Sequence, residues 1–229
     1  MLLEFYLARL EIKIDSFFFL TLILEYSRMV DYTITELNIS NKELTELPDD
    51  IDKYTKLEYL VCWRNKLTSL DNLPSTLKEL YCNTNQITSL DNLPPNLEKL
   101  ICWNNNITSL DNLPSTLITL YCSRNKLTSL DNLPPNLEVL NCTNSFINSL
   151  DNLPPTLKVL VCWENQLSSL DNLPPTLEIL DCSTNQITSL DNLPPNLEDL
   201  NCICNPLKYD FEPTLENIRN YNASRISSS

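Results

Sequence analysis

The 229-residue chain contains no glycine and no histidine. Without glycine there is no phosphate-cradling loop and no dinucleotide fingerprint, since both need backbone that a Cβ would obstruct. Without histidine there is no imidazole for acid–base catalysis or for a metal site. Positive charge is scarce as well: 16 Lys and Arg stand against 30 Asp and Glu, for a net charge of −14. The basic residues form no cluster, which argues against nucleic acid, where neutralising phosphate supplies most of the affinity. Long apolar runs are missing too. The best of them, Phe17 to Leu24, is eight residues bounded by Asp15 and Glu25, against the roughly 20 that a membrane span needs. A secretory leader would have a basic start where this chain has Glu4, Glu11 and Asp15.

What is present is repetition. The phrase SLDNLP, followed after two residues by Leu, returns every 20 positions from Ser69 to Leu197. Six units open Leu-x-x-Leu-x-Cys-x-x-Asn-x-Leu or Ile, as in LEKLICWNNNI from Leu97, and a seventh has Ser145 in place of the Asn; these seven units of 20 residues start at Leu57, Leu77, Leu97, Leu117, Leu137, Leu157 and Leu177. An irregular unit of 23 residues (34–56) precedes them, and a partial one runs from Leu197 to Leu207. This pattern resembles the leucine-rich repeat, with apolar residues at unit positions one, four, six and eleven and Asn at nine. The LxNLPxxLxxL form is similar to repeats of secreted enterobacterial effector proteins and to Asn-rich repeat proteins of giant amoebal viruses (mimivirus). It departs from the bacterial form at Asp71 and its equivalents, where those repeats carry Pro.

The expected fold is an α/β leucine-rich-repeat solenoid dominated by a parallel β-sheet on its concave face. In Leu100-Ile101-Cys102-Trp103 the period of two sends Leu100 and Cys102 one way and Ile101 and Trp103 the other. Leu and Cys recur in every regular unit, so they are assigned to the core. Proline at unit position eighteen forbids a long helix on the return path, which leaves extended chain and 3-10 turns on the convex side, with little helix. Three segments are expected: an N-terminal cap, 1–33, of helix or strands; the array, 34–207, of nine units; and 208–229, a cap helix near 213–221 with a disordered tail from Ser224.

Eight of the nine Cys occupy unit position six, where a thiol serves as a small apolar core residue. Free thiols fit a reducing, intracellular compartment better than secretion. Asn65, Asn85, Asn105, Asn125, Asn165, Asn185 and Asn205 are expected to form a structural ladder, since an amide both donates and accepts. Ser145 interrupts it, and a weaker or kinked rung is expected there. Asp71 and its equivalents are read as accepting from the Asn-Leu turn that follows each of them, with divalent-cation binding as the alternative.

Subtracting these structural positions leaves four columns of variable residues. They include Tyr59, Val61, Trp63, Arg64, Tyr81, Ile101, Trp103, Tyr121, Arg124 and Trp163. Aromatic and Arg residues on a rigid exposed face are the types that anchor protein interfaces, although Val, Tyr and Trp also simply suit a pleated surface. Two readings therefore stand: a non-enzymatic scaffold that binds a protein, such as one from a host, on the concave face, or a structural or decoy array without a ligand. The resemblance implies the first, since leucine-rich repeats are chiefly protein-binding scaffolds. Expected with it are a monomer, a protein partner, no cofactor, no metal, no nucleic acid and no membrane.

Overall fold

The structure, a computed structural model, describes residues 30–226. Its contacts divide the chain into Met1–Tyr32 and Thr33–Ser229. The expected N-terminal cap lies almost wholly outside the described residues.

Nine three-residue strands form one parallel sheet in sequence order: β1 (Glu36–Asn38), β2 (Tyr59–Val61), β3 (Glu79–Tyr81), β4 (Lys99–Ile101), β5 (Thr119–Tyr121), β6 (Val139–Asn141), β7 (Val159–Val161), β8 (Ile179–Asp181) and β9 (Asp199–Asn201). Register never slips: Leu60 pairs with Leu80, Leu80 with Leu100, and so on to Leu200. Each regular unit therefore makes one rung, and equivalent residues stack into columns. The middle Leu of β2 to β8 and the Cys two residues later are fully or almost fully buried, as are the Leu or Ile at unit position eleven and the Leu at fourteen. The strands are short because their alternation ends at unit position seven. There the backbone passes into a left-handed turn, with φ between 51° and 58° from Arg64 through Cys204.

A second left-handed position falls in the return path, at Asn72, Asn92, Asn112, Asn132, Asn152 and Asn172, with φ of 61° to 64°. Glycine would ordinarily take such positions. Asn is the best substitute because its short amide tolerates this region. The return itself is built of turns in which the Leu three residues after the proline at unit position eighteen donates back to it, as Leu77 N does to Pro74 O (3.1 Å). Helix among the described residues is limited to one 3-10 turn, Ile51–Lys53, and one α-helix, α1 (Leu215–Ile226).

Helix α1 closes the last rung. Its Ile218 is fully buried, and Arg219 donates to Pro195 O (3.1 Å) and Leu197 O (2.7 Å). Asn222 Nδ2 donates to Leu190 O (3.0 Å) and Arg225 pairs with Asp191 (3.2 Å). The helix includes Ser224 and Arg225, where the sequence alone suggests a disordered tail.

Candidate interaction face and the ladders behind it

Behind the strands, each ladder Asn ties three backbone groups together. Asn85 Nδ2 donates to Cys62 O (3.1 Å) and Cys82 O (2.9 Å) while its Oδ1 accepts from Leu67 N (3.0 Å). Asn105, Asn125, Asn165, Asn185 and Asn205 repeat this arrangement. Asn65 adapts it to the irregular first unit, accepting from Lys42 N and Leu44 N. At Ser145 the pattern breaks, and both Ser145 Oγ and the nearby Thr143 Oγ1 are buried without a hydrogen-bond partner. The expected kink does not follow: Leu120, Leu140 and Leu160 stay in register, and Cys122 N still donates to Asn141 O (2.8 Å). The defect is one of hydrogen bonding alone, because the backbone ladder of the strands holds the rung spacing.

The eight position-six thiols are all buried and free, whereas Cys204 is free and exposed. Burial pushes Cys62, Cys102, Cys142 and Cys182 up to about 12. Such thiols are not nucleophiles, because reactivity belongs to the thiolate.

The convex Asp residues behave differently from the sequence expectation. Asp91 Oδ1 accepts from Asn112 of the next rung (2.9 Å), Asp111 from Asn132 (2.7 Å), Asp131 from Asn152 (3.2 Å) and Asp151 from Asn172 (3.0 Å). The turn's own backbone is served by serine instead, as where Asp111 N donates to Ser109 Oγ (3.1 Å). Carboxylates one rung apart are thus separated by amides, and among the described residues no group of three or more acidic or thiol side chains could hold a metal ion. The back also carries small hollows lined by Ser, Thr, Asp and Asn, such as the 110 Å³ one between Ser168 and Asn192.

On the sheet face, Tyr59, Val61, Trp63, Tyr81, Ile101, Trp103, Tyr121 and Trp163 are half-buried on or just after the strands. Arg64 and Arg124 are exposed and sit in the left-handed turn beyond them, off the flat face. Arg64 lies over its own Trp63, 5.2 Å from the ring centroid. Glu79 and Lys99, not singled out from the sequence, knit this region together. Tyr81 donates to Glu79 (2.5 Å), and Lys99 approaches Glu79 to 3.5 Å and the Tyr81 ring to 5.2 Å. The Tyr81 side chain and the charge of Glu79 raise the Lys99 ammonium above its ordinary value, against an opposing cost of desolvation. Farther along, Ser183 donates to Asp181 Oδ1 (2.6 Å) and Asn201 to Asp181 Oδ2 (3.1 Å). Column complementarity, Glu beside Lys on adjacent rungs, was the sequence signal for Glu79 and Lys99.

A family profile described as Leucine Rich repeats (2 copies) matches residues 55–95 and 95–134. Among solved structures, YopM from Yersinia enterocolitica WA-314 is 40% identical with a TM-score of 0.71, covering 78% of this chain and 39% of that one. A functional domain of InlJ from Listeria monocytogenes, described as including a cysteine ladder, is 36% identical with a TM-score of 0.68, over 78% and 41% of the two chains. A Shigella effector leucine-rich-repeat domain, 25% identical with a TM-score of 0.57, aligns over 95% and 94%. The chain spans about two fifths of the length of the YopM and InlJ structures. Comparison with curated proteins gives no match, and no helix among the described residues is long and apolar enough to cross a membrane. In-register parallel strands, columns of buried Leu and Cys, and the matching profile together make this chain a leucine-rich-repeat solenoid with bacterial effector proteins among its structural neighbours.

Proposed function

We propose that the chain is a non-enzymatic scaffold that binds a host protein on the face of its sheet. One observation carries this reading: Trp63, Tyr81, Trp103 and Tyr121 follow one another on β2 to β5 and their immediate flanks, half-exposed on backbone held rigid by rung-to-rung pairing. Large aromatic side chains with few rotors lose little entropy on contact and bury much area, which is why they anchor interfaces. The leucine-rich-repeat fold is typical of such scaffolds, and its effector neighbours support a partner inside a host cell. The purely structural reading finds support at Tyr81, whose hydroxyl already bonds Glu79 within the chain.

The test compares immobilised wild type with Trp63→Ala/Trp103→Ala. Loss of a captured protein at unchanged melting temperature is the expected result. Identical capture by both, or a lowered melting temperature with no change in capture, would sink the proposal.

A further inference from the structure

Unit position two, just before each strand, forms a column apart from those discussed so far. Glu58, Lys78 and Glu98 make one charge triplet in it, Glu138, Lys158 and Glu178 a second, and Ile118 stands between the two. Backbone bonds hold this column at one-rung spacing: Glu98 N donates to Lys78 O (2.8 Å), Ile118 N to Glu98 O (2.8 Å) and Glu138 N to Ile118 O (2.9 Å). Side chains in the column therefore meet their neighbours above and below, as the two lysines show. Lys78 bonds Glu58 (2.9 Å) and also feels Glu98, while Lys158 bonds Glu138 (2.9 Å) and also feels Glu178.

The molecule thus builds the same device twice, a cation between two glutamates. The third such interval, between Glu98 and Glu138, holds an isoleucine whose side chain has no charge and is 41% exposed. Around it lies a groove of about 390 Å³ lined by Glu98, Thr116, Ile118, Asn136, Glu138 and Thr156. None of the ion pairs among the described residues involves Glu98.

We propose that this groove seats one basic side chain, lysine or arginine, of the protein partner, its methylene stem against Ile118 and its charged head between Glu98 and Glu138. The inference rests on the protein-binding reading above and adds a subsite outside the aromatic columns. Charge complementarity selects the occupant, for an inserted cation makes the column alternate in sign without interruption from Glu58 to Glu178. Geometry narrows it further. The two glutamates are two rungs apart, about 10 Å along the sheet, too far for the 2.3–2.6 Å shell of one calcium ion. A long apolar stem with a charged tip suits both the floor and the walls.

The test uses the full chain with labelled isoleucine methyl groups and two probes, N-acetyl-lysine methylamide and its uncharged counterpart N-acetyl-norleucine methylamide. The lysine probe is expected to shift the Ile118 methyl saturably, the norleucine probe to bind about tenfold more weakly, and Glu98→Gln/Glu138→Gln to remove the difference between them. Ile179, 40% exposed on the sheet face, should stay unmoved. The inference is overturned if Ile118 does not respond, responds equally to both probes, or moves no more than Ile179. Trp63→Ala/Trp103→Ala should respond as wild type, so failure of the aromatic-face reading and failure of this subsite give different results. A response lost in that variant also counts against the groove.

Discussion

The side-chain amide of Asn105 donates to the carbonyl oxygen of Cys82, one full rung away, at 3.1 Å. The same nitrogen serves Cys102 O, and the oxygen takes Ile87 N, so one side chain satisfies three backbone groups in two units. Only the rung containing Ser145 lacks this arrangement among the regular units. Ser145→Asn should fill it, serving Leu127 N, Cys122 O and Cys142 O together. A gain of about 1–3 kcal/mol is expected in urea or thermal unfolding, the usual cost of leaving such groups unmade. Asn105→Ser should lose a comparable amount. An unchanged midpoint for Ser145→Asn would show that the groups at that rung are already satisfied.

The thiol ladder predicts a limit at alkaline pH. In the unfolded chain these thiols ionise near 9, whereas four of them in the folded chain wait until about 12. Stability is therefore fully present below pH 9 and declines as pH climbs from 9 toward 12. Replacing Cys102 with Val should make that decline shallower in melting measured from pH 8 to 11. At neutral pH a thiol reagent should label Cys204 alone in the native protein, and all nine thiols in denaturant. Rapid native labelling at position six would contradict the buried ladder.

How much of this was readable beforehand follows from what a repeat can reveal. A strict period shows which residues are equivalent, and alternation around Leu100 and Cys102 shows which of them point inward; register and core came from those two facts. Period alone does not show whether Asp91 bonds its own turn or the next rung, since both donors recur with the same spacing. The rung separation of about 4.8 Å decided for Asn112. Nor did alternation show where it stops, so Arg64 and Arg124 were read as part of a strand that ends before them. The missing glycines concealed both left-handed turns, whose usual marker this chain does without.

The Asp ladder sets the acid limit. Ser89 and Asn112 hold the Asp91 carboxyl below its ordinary 3.8, as Ser109 and Asn132 do for Asp111, and Ser149 and Asn172 for Asp151. A depressed folded value means the contribution is complete above 3.8 and lost as pH falls below it. Melting temperature should accordingly be flat above about pH 5 and drop in the acid limb. Asp91→Asn/Asp111→Asn/Asp151→Asn keeps an acceptor at each site and should flatten that limb. An acid limb of unchanged slope would assign acid sensitivity to other carboxyls.

Left-handed backbone at β-branched residues is a local strain that substitution can relieve. Thr84 has φ of 57° and Thr184 of 51°, where Asn104 and Asn144 occupy the equivalent turns. Thr84→Asn should stabilise by about 0.5–1 kcal/mol, and Asn104→Thr should destabilise by a similar amount. Chemical denaturation of the two variants checks both directions, and a destabilised Thr84→Asn would show that the threonine makes a compensating contact.

Helix α1 can be understood as counterfeit. Within the array, Thr116 Oγ1 donates back to Pro95 O and Leu97 O, and at the end Arg219 offers its guanidinium to Pro195 O and Leu197 O. The last rung is thus given the donors that a following unit would otherwise supply. In a structure whose growth rule is to add one more copy of the same unit, such imitation works as a terminator: it takes up the bonding positions through which another molecule's first rung would join. Sheets that repeat without limit become fibres, and a twelve-residue helix of different geometry ends this one at a countable number of strands.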